Sequence, residues 1–220
     1  MNVSIILTCT VHVKHPIDCM HQIDKNERLE VYLKSIIQWL NKTNFNIILV
    51  ENSGYTFDEL NNEKVLYKNR FEVITFKENE LDEASYLKND SSKGVSEIFA
   101  INYAIRNSKI IQPTNFIIKI TARYFISKLE EYLNNVELNK YDCLTQQDRN
   151  RCEMVGCQYK NIASIFDKDI HSDCFIGGVK GPVEYSYINR TSKYSNILIC
   201  KEFGIEKTQR GGWDCCYYTI

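Results

Sequence analysis

Short apolar runs alternate with longer amphipathic stretches through the first two thirds of this 220-residue chain. Val3 to Thr8, Asn46 to Val50 and Asn115 to Ile120 read as buried strands, Phe71 to Phe76 as an alternating one, and Tyr141 to Leu144 as a short fifth. Helical spacing fills the gaps. Leu29, Leu33, Ile36, Ile37 and Leu40 form one stripe behind a start signal at Asp24 and Glu27. Val95, Ile98, Ile101 and Ile105 follow Lys93-Gly94. Leu129, Leu133 and Val136 follow a capping-box pair, Ser127 and Glu130. Thr56 and Glu59 are spaced to cap a short helix, and the polar stretch from Lys77 to Ser92 reads as a long loop.

Strand and helix in alternation predict an α/β fold with a mostly parallel central sheet flanked by helices. After Gln146 the pattern weakens to a polar loop, a helix near Pro182 to Tyr194, and one further element before Gly211-Gly212. One domain over residues 1–220 accounts for the length, with 1–145 carrying the regular alternation and 146–220 completing it.

Composition narrows the function classes. Lys plus Arg is 27 against 28 for Asp plus Glu, so no basic excess favours nucleic acid. Apolar runs are strand-sized, well short of the ~20 residues of a membrane span, and the amino terminus enters a strand without a signal-peptide pattern. Nine cysteines lack metal spacing, and Cys215-Cys216 are adjacent. They are expected to be reduced, mostly buried thiols in a cytoplasmic protein. The bias to Ile, Asn, Lys and Tyr points to an AT-rich genome, such as a large virus, a protist or a low-GC bacterium. Nothing bears on oligomeric state.

Familiar nucleotide motifs are missing. No Gly-x-Gly-x-x-Gly follows the first strand, and there is no P-loop and no Gly-x-Ser-x-Gly elbow. The candidate chemistry sits at strand ends, where open α/β sheets carry ligands. The fourth strand breaks into Lys119, Thr121, Arg123 and Tyr124, whose two cations suit phosphate or carboxylate oxygens. The second ends in Glu51-Asn52-Ser53-Gly54, able to hydrogen-bond a base or ribose, or to serve only as a turn. Lys93-Gly94 opens a helix whose free N–H groups suit an anion, or is a plain helix entry. The four histidines and Asp167-Lys168-Asp169 read as surface groups, so no metal site is expected.

These motifs, in this order, resemble nucleotide-sugar glycosyltransferases of the GT-A type. The likeness is to bacterial and large-virus polysaccharide glycosyltransferases, in which a Lys-Gly-x-x-Glu helix start precedes a strand ending Lys-x-Thr-Gly-Arg-Tyr. Here those positions read Lys93-Gly94-Val95-Ser96-Glu97 and Lys119-Ile120-Thr121-Ala122-Arg123-Tyr124. The resemblance covers about residues 1 to 145, with an echo at Asp173 to Gly178. It implies a GT-A-like (Rossmann-like) domain that moves a sugar from a nucleotide-diphosphate donor to a glycan or other hydroxyl acceptor. Thr8, Glu51, Asn52, Ser53, Lys93, Gly94, Lys119, Thr121 and Arg123 would line the donor, and Asp173 and Glu184 are the candidate catalytic carboxylates. Two positions depart from the family. Ala122 replaces a glycine, and no Asp-x-Asp ends the fourth strand, so Lys119 and Arg123 would take over a metal's electrostatic work. A non-catalytic nucleotide- or glycan-binding protein of the same fold is the competing expectation.

Overall fold

The computed structural model describes residues 2–13, 21–89, 92–111, 114–167, 175–176, 179–180 and 182–220. Asp173, His15, His171, Asp169 and Gly177-Gly178 lie outside the described residues.

Seven strands form the central sheet: β1 (Val3–Cys9), β2 (Asn46–Glu51), β3 (Phe71–Thr75), β4 (Phe116–Thr121), β5 (Cys143–Thr145), β6 (Met154–Gln158) and β9 (Ile197–Ile199). Their order is β3-β2-β1-β4-β6-β5-β9, and only β6 runs antiparallel to its neighbours. Two antiparallel pairs lie outside it: β7 (Phe175–Ile176) with β8 (Val179–Lys180), and β10 (Gly204–Gln209) with β11 (Cys216–Thr219).

The apolar runs are continuous because both sheet faces are covered. Period-two alternation sends Ile5, Leu7, Ile47, Leu49, Ile118 and Ile120 to one face, against Tyr32, Ile36 and Trp39 of α1 (Lys25–Lys42). Ile6, Ile48, Val50 and Ile117 go to the other, against Val95, Ile98 and Ile101 of α3 (Lys93–Asn107). Lys119 holds an alternate position on that second face, in register with Ile6 of β1.

The Asp24 start signal is realised: its Oδ1 accepts from Asn26 N and Glu27 N at 2.8 and 3.0 Å. The Ser127–Glu130 capping box is not. Helix α4 runs Leu129–Asn134 without a side-chain cap, and Glu130 instead accepts from the Asn44 amide across the fold. The polar stretch after β3 winds into 3₁₀ turns at Glu78–Glu80 and Asp82–Asn89. Short helices α2 (Asn61–Leu66) and α5 (Ile162–Ile165) and the longer α6 (Val183–Thr191) complete the layers. The sheet draws β6 and β9 from beyond residue 146, so the weakly patterned third of the chain is built into the same core.

From β1 the chain moves to β2 on one side, and it returns through α3 to β4 on the other. The order reverses between β1 and β4, which opens a crevice beyond their carboxyl ends.

Candidate functional site

The crevice has two walls of different chemistry. On the α3 side, Thr8 Oγ1 donates to Glu97 Oε1 at 2.7 Å, and Lys119 Nζ sits 2.8 Å from Glu97 Oε2. Lys119 also donates to the Cys152 carbonyl at 2.7 Å and lies 3.4 Å from Thr121 Oγ1. Its side chain is 1% exposed, while that of Glu97 is 20% exposed. Burial alone would pull the Lys119 ammonium down, but Glu97, with Cys152 and Glu153 beside it, outweighs that and raises it above its usual value. Lys119 is therefore a charged, enclosed strut. It is bound to the protein's own carboxylate, and Glu97 is the member of the pair that reaches the surface.

Helix α6 closes over this wall. Gly94 leaves room for it: a Cβ there would lie 2.4 Å from Val183 Cβ, so the glycine serves helix packing at the start of α3. The next residue, Glu184, is half-buried, and its carboxylate has no hydrogen bond or ion pair among the described residues. Burial raises the Cys152 thiol and the Tyr187 phenol well above their usual values, and Glu97 and Glu184 add to both. Two carboxylates from two helices thus converge on the same neighbours. Tyr187 Oη is buried and has no hydrogen-bond partner among the described residues.

The opposite wall is basic. Arg123 is buried against the turn of the β10–β11 hairpin, donating to Gln22 Oε1 at 2.7 Å and to the Gln209 carbonyl at 3.2 Å. Arg28 donates to the Thr10 and Gln22 carbonyls and to Tyr32 Oη. Both guanidinium groups stand 5.6 Å from the Tyr32 ring centre. Their hydrogen-bond acceptors are all neutral, and the carboxylate that acts on Arg28 is the enclosed Glu51. Arg210, half-exposed, lies over Tyr217 at 5.3 Å, and Arg151 lies over the same ring at 3.8 Å.

The β2 end forms the crevice's flank. Glu51 is enclosed, and its oxygens accept from Val11 N, Ser53 N, Ser53 Oγ and Tyr55 N. It shapes the two loops and has no surface to offer a ligand. Thr10 Oγ1 donates to Asn52 Oδ1, Asn52 Nδ2 donates to Glu78, and Ser96 Oγ donates to the other oxygen of Glu78. Asn52 and Ser53 remain partly exposed at the rim, and Lys93 stands at the start of α3. Ala122 is buried, and its amide donates to the Thr8 carbonyl at 3.0 Å. The only positive-φ residue other than glycine among the described residues is Phe57, so alanine fits at 122 without strain.

The site residues read from the sequence thus divide. Thr8, Asn52, Ser53, Lys93, Thr121 and Glu184 gather around the crevice. Glu51, Gly94, Lys119 and Arg123 build it from behind. Sequence reasoning missed Glu97 as a site residue, although the signal existed: a lysine inside an apolar strand requires a buried acid nearby.

No protein-family model matches the chain, and no curated protein matches it by sequence. Solved structures do match by shape. A protein assigned as a nucleotide-diphospho-sugar transferase, from Desulfovibrio desulfuricans G20, aligns over 91% of this chain and 80% of its own, with TM-score 0.51 and 11% identity. TarS of S. aureus, residues 1–349, aligns over 91% of this chain with the same TM-score and identity, and this chain spans 58% of its length. The fold is of the GT-A type. At 11% identity the likeness fixes architecture, and the chemistry rests on the residues of the crevice. No helix among the described residues is long and apolar enough to cross a membrane.

Proposed function

We propose that this chain transfers a sugar from a nucleotide-diphosphate donor to a hydroxyl of a glycan or similar acceptor. The observation that carries the reading is Glu184, a half-buried carboxylate without a hydrogen bond or ion pair among the described residues, which acts with Glu97 on the same Cys152 and Tyr187. A carboxylate in that state is available to take a proton. Its counterpart across the crevice is a wall of arginines.

The division suits an inverting transfer. The nucleotide lies along the β1 and β2 ends, against Thr8, Asn52 and Ser53, with its diphosphate toward Lys93, Thr121 and the half-exposed Arg210, which the buried Arg123 backs from behind. Glu184 accepts the proton of the attacking hydroxyl as the new glycosidic bond forms. The bond between the anomeric carbon and the diphosphate oxygen breaks, and that oxygen takes the electron pair. The arginine wall stabilises the charge as it develops. Asp173, outside the described residues, is the second candidate for the base. The thiols of Cys9, Cys143, Cys157 and Cys200, all buried and unpaired, fit a cytoplasmic protein, and a polysaccharide or other glycoconjugate is the expected product.

The test is turnover. Panels of UDP- and GDP-sugars, incubated with the protein with and without EDTA, are followed for release of free nucleotide. Release that is abolished in Glu184→Gln supports the reading. Nucleotide binding without any release, with or without added oligosaccharides, favours a binding protein of the same fold.

A further inference from the structure

Trp213 is one of two tryptophans and is presented unlike the other. Trp39 is fully enclosed, and its indole N–H donates to the Tyr124 carbonyl at 2.9 Å. Trp213 is 58% exposed at the tip of the β10–β11 hairpin, yet the turn that carries it is braced on every side. Gln209 Nε2 and the Cys215 amide donate to the Trp213 carbonyl at 2.9 and 2.8 Å, and Arg210 N donates to the Cys215 carbonyl. The Gly211 carbonyl accepts from His21 N and Gln22 N, and Asp214 pairs with His21 at 3.2 Å. A Cβ at Gly211 would lie 2.5 Å from Arg123 Nη2, so a larger residue there would push the guanidinium aside.

The turn is therefore anchored to the basic wall of the crevice through Gln22 and Arg123. An indole held in water by a braced turn keeps its apolar face available at little cost in ordering. Its immediate neighbours in the turn are Gly211, Gly212 and Asp214, none of which carries an apolar side chain that could extend the indole's face. A single exposed indole in a turn that also carries Asp214, exposed and paired with His21, and Arg210, over Tyr217, matches a pyranose. The C–H face of the sugar covers the indole, while its equatorial hydroxyls reach Asp214 and Arg210.

We infer that Trp213 is the stacking platform for the glycan acceptor, holding a sugar ring at the mouth of the crevice. This rests on the transfer reading above for the word acceptor, but the binding itself can be measured without donor or turnover.

Labelled wild-type protein and Trp213→Ala are applied to an array of plant, bacterial and animal oligosaccharides, and hits are repeated in solution by tryptophan fluorescence. Trp39 is enclosed, so a change on binding reports Trp213. The expected result is at least one glycan bound with a fluorescence change, affinity lowered about tenfold or more in Trp213→Ala and largely kept in Trp213→Phe, at an unchanged melting temperature. Equal binding by wild type and Trp213→Ala overturns the assignment, as does binding of no glycan on the array. A fluorescence change with UDP, GDP or CMP but not with a glycan assigns the indole to the nucleobase and also overturns it. Failure here with intact nucleotide binding leaves the transfer reading standing, and failure of nucleotide binding leaves a glycan result interpretable on its own.

Discussion

Lys119 Nζ and Glu97 Oε2 lie 2.8 Å apart and join β4 to the second turn of α3. Thr8 completes the link to β1. The pair leaves no net charge at that point of the crevice. Removing one partner of a buried pair strands the other. Lys119→Met and Glu97→Leu should each cost about 3 kcal/mol of stability in urea unfolding, and the double variant less than their sum. Strict additivity would show that the two do not interact.

The same pair fixes a pH response. Because Glu97 raises the Lys119 ammonium above its usual value, its stabilisation is present below the unfolded lysine value, about 10.4. It is lost as pH climbs through the higher folded value. Wild-type melting temperature should therefore fall from this source only in strongly alkaline solution. In Glu97→Gln burial is unopposed by that carboxylate, the folded value drops, and stability should instead rise with pH over the range below the unfolded value. Parallel profiles for the two proteins would contradict this.

Gly94 sets the approach of α6 to α3. Gly94→Ala should cost about 1–3 kcal/mol, since the added methyl meets Val183 at 2.4 Å and the backbone must shift. Val183→Gly in the same chain should recover part of the loss. If Gly94→Ala is neutral in stability but weakens nucleotide binding, the glycine serves a ligand rather than the helix.

Glu184→Gln keeps shape and removes the base. Turnover should fall about 100- to 10,000-fold while nucleotide affinity changes less than about twofold. An active Glu184→Gln would pass the role to Asp173.

Much of the fold was readable from the chain, and the failures have identifiable causes. β1, β2 and β4 declare themselves because both faces of a parallel sheet are buried. β6 was missed because Met154-Val155-Gly156-Cys157-Gln158 carries a glycine and a cysteine in place of branched residues. Gly156 is needed there, since a Cβ would lie 2.8 Å from the Ile117 carbonyl. Ser127–Glu130 misled because a tertiary acceptor, the Asn44 amide, captured Glu130. The site was readable in outline only. Residue types at Glu51, Lys119 and Arg123 announced polar strand ends, but only the folded chain shows that these three are turned inward. Glu97, Glu184 and Trp213 come from three distant segments, and no local pattern joins them.

The central claim is that the crevice between β1 and β4 receives a nucleotide diphosphate. Its phosphates are proposed to lie against Lys93, Thr121 and the half-exposed Arg210. Isothermal titration of the folded protein with UDP, GDP and CMP, in EDTA and again in Mn²⁺, tests this directly. The account predicts a measurable affinity for UDP or GDP that survives EDTA, and weaker binding of CMP, which lacks the second phosphate. Absence of heat with all three, or binding that appears only with Mn²⁺, would contradict it.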